Sequence, residues 1–392
     1  MARSSLLVAL AVVGCTLPAS AAPQFIPRNK LIPAPPDSGA VAGQSVSVSG
    51  DRLAIGALQE GAVYIYVRDQ QRWVLEQRIV SSAGEGEQFG ASLSLDGARL
   101  LVGRPFEDYA SFNSGAAYVF ERGPGGWVEV QRLLPSDPNQ LDNFGCSVAL
   151  SGDRMLLGAQ YDDDRGTSSG SAYVFERFGG QWIEVAKLVA QDGAAGDLAG
   201  WSVALDGGVA AVGAWARQAT LPFGGAIFVY EGAGSLWNQV ATLESSRIRA
   251  NQCFGVSVAV QGRRIVGGAT GSNHGVFVFE GGPGGWVETG DIPATGPQFG
   301  CSVALSGPWL VVGAQQNSLV PTFNPSGTVH LYRQGVQGRW RLRETLVPRD
   351  DTAAFGCSVS LREGRLVVGA RSDAMGDGAV YTFDELIATT PN

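Results

Sequence analysis

The sequence is poor in the groups that enzymes use for acid–base and metal chemistry. Its 392 residues include two histidines, five cysteines and three methionines, and only 16% are charged. His274 and His330 fall in or beside third strands of different repeat units, where a packed or partly exposed imidazole is the ordinary outcome, and no metal-ligand His pair, nucleophile elbow or phosphate loop is present. Beyond the first twenty residues no apolar run approaches the roughly 18 residues that a membrane-spanning helix requires. Positive charge is also scarce, and almost all of it is Arg. Formal net charge is −8, a poor match for nucleic acid.

Glycine is plentiful. There are 55 Gly and 19 Pro, and this punctuation favours many short strands over long helices. The opening stretch MARSSLLVALAVVGCTLPASA has a short basic start, an apolar segment over residues 6–13 and a small-residue A-x-A site at 19–21. It reads as an export signal spanning residues 1–21, so the mature chain is expected to be secreted or to reside at the cell surface or in the periplasm. The alternative is a lipoprotein signal ending before Cys15, which would then carry a lipid anchor. Loss of Arg3 with the signal leaves 27 basic against 36 acidic residues, a net charge of −9.

The heptapeptide FGCSVAL occupies residues 144–150 and again 299–305, and FGCSVSL follows at 355–361. Aligned on the glycine of this phrase, Gly43, Gly90, Gly145, Gly200, Gly255, Gly300 and Gly356 are separated by 47, 55, 55, 55, 45 and 56 residues. Such a period marks a repeat architecture of seven units. In the third unit, SVAL, MLLGA, SAYVFER and WIEVAKLV read as four strands of an antiparallel meander, with a tight turn at 151–153 and a long polar loop at 160–170. The inner strands are continuously apolar, as sheets covered on both faces must be, whereas the fourth alternates. The seventh unit ends after its third strand. Residues 25–50 align without a gap on 127–152, so the missing fourth strand stands at the N-terminus, where its pairing would leave no open edge. The expected fold is all-β: a seven-bladed β-propeller of four-stranded antiparallel blades over residues 24–385, closed three plus one by the N-terminal strand, with a short tail at 386–392.

The pairing of Phe144-Gly145 with Gly158-Ala159, of Phe299-Gly300 with Gly313-Ala314 and of Phe355-Gly356 with Gly369-Ala370 resembles the FG-GAP repeats of the integrin alpha-chain N-terminal propeller and their bacterial relatives. The resemblance covers nearly all of the mature chain. It implies the propeller fold and leaves function open, since propellers host unrelated activities. Family members often hold calcium in an Asp-rich loop between the first and second strands. Here that loop is reduced to SGD, DG, QG or SG, too short to supply six to eight oxygens, so no cofactor is expected, although calcium stays open.

Most recurring residues are read as architecture. The Phe of each FG step is expected to wedge between blades, with Trp201 filling the gap where the fourth unit lacks it. Trp73, Trp127, Trp182, Trp237, Trp286 and Trp340, each opening a fourth strand, are read as packing rather than as a sugar-binding ladder. Cys146, Cys301 and Cys357 share one repeat position and are read as small thiols facing the channel; Cys301 with Cys357 is the pair to test for a bridge, and Cys253 with Cys301 the alternative. Asp162, Asp163 and Asp164 form the densest carboxylate cluster, a candidate cation site weighed against turn capping. Asp137, Asp142, Asp192, Asp197, Asp350 and Asp351, between blades, are read as turn caps.

Meander topology sends the long loops, at 104–114, 160–170, 215–224 and 315–326, to one face, and only tight turns to the other. That long-loop face carries Phe106, Tyr109, Phe112, Tyr161, Trp215, Phe223 and Phe323, the candidate ligand-binding residues. No catalytic residue is nominated. The expected function is an exported, non-catalytic binding or adhesion module that engages an extracellular protein or glycan through this face, as a monomer with no membrane span. A carbohydrate-active propeller hydrolase or lyase using a carboxylate pair is the alternative. A structural element of a cell-surface assembly is the third reading.

Overall fold

A computed structural model describes residues 25–33, 39–86, 88–271, 275–316, 326–348, 354–372 and 376–385. The signal at 1–21 with Cys15, the tail at 386–392, His274, Phe323, Asp350 and Asp351 lie outside the described residues. Within them, 28 strands form seven four-stranded antiparallel sheets. The first strands of successive sheets touch one another around a closed ring, so they line the axis and the fourth strands lie outermost.

The closure follows the sequence expectation. The strand Phe25–Leu31 pairs antiparallel with Ala379–Glu385, setting Leu31 against Val380 and Lys30 against Tyr381, and thereby completes the seventh blade. Phe25, the counterpart of the recurring Trp, is fully buried edge-on to Trp309 at 5.2 Å. Middle strands such as Arg99–Arg104 are buried on both faces, while the outer strand Gly126–Leu133 alternates, as the hydrophobic patterns require.

The repeated phrase is an interlock between blades. In all seven junctions the serine two residues after the FG glycine donates its Oγ–H to the FG glycine carbonyl of the next blade, at 2.6–2.8 Å. That same carbonyl lies against the glycine of the preceding GA step. A Cβ at Gly158 would stand 2.0 Å from the Gly200 oxygen, which is why this strand position takes glycine despite its ordinary φ. Gly145 needs glycine for a second reason, a φ of 85°.

Phe89, Phe144, Phe254, Phe299 and Phe355 are all buried wedges; Phe144 meets Tyr173 edge-on at 5.3 Å and packs among residues of blades two and three. Trp73, Trp127 and Trp182 are buried and Trp237, Trp286 and Trp340 half-buried, several beneath guanidinium groups: Arg99 sits over Trp182 and Arg263 over Trp286. These tryptophans hold the outer edge. In addition, the Gln77 side-chain amide bonds both the backbone N–H and the carbonyl of Trp127, and Gln131 does the same for Trp182.

One expectation is corrected and one open pairing is answered. Trp201 does not fill the wedge position of blade four: it is 38% exposed, and Ala199 occupies that place, buried. Cys301 and Cys357 do not form a bridge; with Cys146 and Cys253 they are free thiols. Each sulfur turns to a backbone carbonyl instead, Cys301 to Gly356 and Cys357 to Gly43, both at 3.4 Å. Burial pushes the Cys146 thiol up to about 11 and that of Cys301 up to about 12, so neither supplies a thiolate near neutrality.

Candidate ligand-binding face

The residue after each FG step stands at or near the start of a first strand, and the residue after each GA step follows the end of a second strand, so both stand at the long-loop end of the channel. They form two concentric rings. The inner ring reads Gln44, Ala91, Cys146, Trp201, Val256, Cys301 and Cys357 in order around the axis. Most are small, and blade four alone places an indole there, 38% exposed. The outer ring includes Gln160, Trp215, Thr270 and Arg371 in blades three, four, five and seven.

Blade four brings exposed Trp201 and Phe223 together around half-buried Trp215. The ring of Trp201 meets that of Trp215 edge-on at 5.6 Å, and Trp215 in turn stacks on Phe223 at 6.4 Å with an interplanar angle of 22°. Phe223 is 40% exposed. Its φ of 47° is a left-handed conformation that the corresponding Asn113 and Ser168 adopt easily and that costs a bulky side chain about 1–3 kcal/mol. The loop compels it: the Phe223 carbonyl accepts the backbone N–H groups of both Gln252 and Cys253.

The other nominated aromatics do not join this cluster. Tyr109 is 57% exposed, but its face is taken by the Arg132 guanidinium at 4.0 Å. Phe112 and Tyr161 are exposed and Phe106 half-buried, and no ring contact joins any of the three to another aromatic among the described residues.

The carboxylates tell a different story from capping alone. Asp162 is buried, and its oxygens lie with those of Asp137 and Asp164 within 4.8 Å of one another. At their centre is a cation of the chain itself: Lys187 Nζ is 2.7 Å from Asp137, 2.7 Å from Asp162 and 2.8 Å from Asp164. Tyr173 donates its hydroxyl to Asp137 and Asp162. Asp163 faces away and accepts the Ser168 N–H, a turn cap as expected. Burial opposes charge on both partners, yet the ion pairs prevail: hydrogen bonds from Lys187 and Tyr173 hold the Asp137 carboxyl below its usual range, and the carboxylates raise the Lys187 ammonium. Asp142 is buried beside this group with no cation in contact, and burial pushes its carboxyl up to about 6.

The same columns repeat the arrangement. Glu60, Tyr64 and Arg78 in blade one and Glu107, Tyr118 and Arg132 in blade two are bonded to one another as Asp162, Tyr173 and Lys187 are. Blade four inverts the charges, with buried Arg217 in the acidic position bonded to Asp197 at 2.9 Å and Asp192 at 2.8 Å. His330, buried against Phe299 and three threonine hydroxyls, is pushed down to about 4 by burial, a core residue.

Residue columns, glycine interlock and ring closure agree with one family. The sequence profile described as the FG-GAP repeat matches residues 73–120, 127–175, 182–230 and 340–383. The chain is an FG-GAP repeat protein. Each match starts on an outer-strand Trp of one blade and ends in the third strand of the next, the frame in which the FG-GAP glycines interlock. Among solved structures, a crystal structure of a protein from Lactobacillus plantarum superposes with a TM-score of 0.57 at 14% identity, covering 77% of this chain and 84% of that one, a likeness of fold alone. No curated protein matches this FG-GAP chain.

Sequence reasoning missed Trp201, Lys187, Asp137 as a cluster member, and Arg371. Aligning the columns after the GA step reveals them: the acid four residues past the glycine, the tyrosine in the third strand and the base one residue before the last apolar position of the fourth recur together.

Proposed function

We propose that this FG-GAP propeller is an exported, non-catalytic binding module that engages its ligand at the long-loop mouth of the channel. The observation that carries the reading is the exposed Trp201–Trp215–Phe223 cluster, whose Phe223 is held in a strained backbone conformation. Strain retained at an exposed loop is the mark of a site under functional constraint. Blade four departs from the repeat at several columns at once, and these departures meet on one face.

The ion-paired carboxylates support binding rather than hydrolysis, and Asp142, which has no cation beside it, is buried and caps the Asn139 N–H. A glycosidase needs one carboxyl free to protonate a leaving group and a second free to act as nucleophile or base. Asp162 and Asp137 are bound by Lys187, Glu107 by Arg132, and Asp192 and Asp197 by Arg217. Nor does the Asp137–Asp162–Asp164 group call for a metal, since Lys187 supplies the charge. The test is a glycan and protein array probed with wild type and with a variant carrying Ala at Trp201, Trp215 and Phe223. Loss of the wild-type hits is expected, and equal binding by both rejects the face.

A further inference from the structure

Resting on the reading of the long-loop mouth as a binding surface, we infer that its ligand is an anionic oligosaccharide, with a sugar ring stacked on the blade-four aromatics and its carboxylate or sulfate held by Arg371. Arg371 occupies in blade seven the position that Trp215 occupies in blade four. Its guanidinium crosses to blade one and donates to Gln44 Oε1 at 3.0 Å, and no carboxylate pairs with it among the described residues. In a chain of net charge −8, where guanidinium groups at the blade junctions are routinely matched to acids, a half-buried guanidinium whose partner among the described residues is an amide offers a site for an external anion.

Position decides the size of the ligand. In a ring of seven, blade four lies directly opposite the junction of blades seven and one, so the aromatic cluster and the Arg371–Gln44 pair face each other across the channel. The inferred ligand is therefore a chain of sugars rather than a single ring.

Chemistry decides the class. Trp201 and Trp215 cross at 72° and leave ring surface exposed, which suits the C–H face of a pyranose. In flanking blade five the Trp215 position carries half-buried Thr270, an uncharged donor and acceptor of the kind that sugar hydroxyls require, whereas Gln160 of blade three is buried. A peptide ligand would instead call for apolar side-chain pockets, and the small inner-ring residues offer none beside these indoles.

The experiment uses the full mature chain and titration calorimetry with three probes: an oligogalacturonide, a sulfated carrageenan oligosaccharide, and the carboxyl-reduced, neutral form of the oligogalacturonide. At least one anionic probe is expected to bind about tenfold or more tighter than the neutral one, with an affinity that falls as salt is raised. Arg371→Gln should erase that preference, weakening the anionic probes far more than the neutral one, and Trp201→Ala should weaken all three. Equal affinity for charged and neutral probes, a preference that survives Arg371→Gln, or no binding of any probe overturns the ligand assignment. If the array ligand then proves to be a peptide that Trp201→Ala releases, the face stands and only its occupant is wrong; a ligand indifferent to Trp201→Ala removes the face itself.

Discussion

Replacing Lys187 by Met tests whether the acidic group of blade three is a structural ion cluster. The ammonium contacts three carboxylates at almost equal distance, but they are not equal in burial. The side chains of Asp137 and Asp164 are 45% and 42% exposed, and that of Asp162 only 2%. Pairs with the two exposed acids are screened by water and contribute about 0.2–1 kcal/mol each. Stranding the buried Asp162 charge costs about 3–5 kcal/mol, so this partner dominates. Lys187→Met is therefore expected to destabilise the protein by about 4 kcal/mol, with a fall in melting temperature of roughly 5–10 °C for a chain of this size. Adding Asp162→Asn to Lys187→Met should recover most of the loss, because the amide still accepts the Tyr173 hydroxyl and no charge remains buried. Asp137→Ala alone should cost under about 1 kcal/mol. Urea denaturation of Lys187→Met, Asp162→Asn and the double variant gives the coupling directly. Lys187→Met within about 1 kcal/mol of wild type, or a double variant no more stable than Lys187→Met, would refute the assignment of the energy to the buried pair.

Two further outcomes follow from the same geometry. Gly158→Ala places a methyl 2.0 Å from the Gly200 carbonyl and 2.6 Å from Ser147 Oγ, so it should cost about 3 kcal/mol or more, whereas Gly152→Ala, in open space at a φ of 59°, should cost about 1 kcal/mol in the same denaturation assay; equal costs would show that the blades are not interlocked there. For Asp142 the folded pKa, pushed up to about 6 by burial, exceeds the unfolded value, so the folded state takes up the proton first and gains stability as pH falls from about 6 to about 4. Asp142→Asn should thus be more stable than wild type by about 2–3 kcal/mol at pH 7 and lose that advantage by about pH 4; an advantage independent of pH would mean that the buried charge is not its source.

The fold was legible because its tightest contacts leave the sequence no freedom. Every junction presses a GA glycine against an FG carbonyl and bonds that carbonyl to a serine, so Gly, Gly and Ser recur in register however the loops vary. The 26-residue match of 25–50 to 127–152 revealed the closure for the same reason. The site was less legible because its partners are joined only by strand register: Asp137 and Lys187 are fifty positions apart, and each alone looks like a solvated charge. Trp201 was misplaced because a missing wedge was assumed to need an aromatic replacement, whereas Ala199 suffices and frees the indole to turn outward. Blade four is thus informative where it fails to repeat. It gives up the wedge, reverses the Asp162–Lys187 polarity at Arg217, and holds Phe223 at a φ that Asn or Ser would adopt without strain. None of these changes improves the packing of the ring, and Phe223 works against it. Their coincidence at one sector of the channel mouth is what ties the departures to binding, since stability alone would have kept the consensus of the other blades.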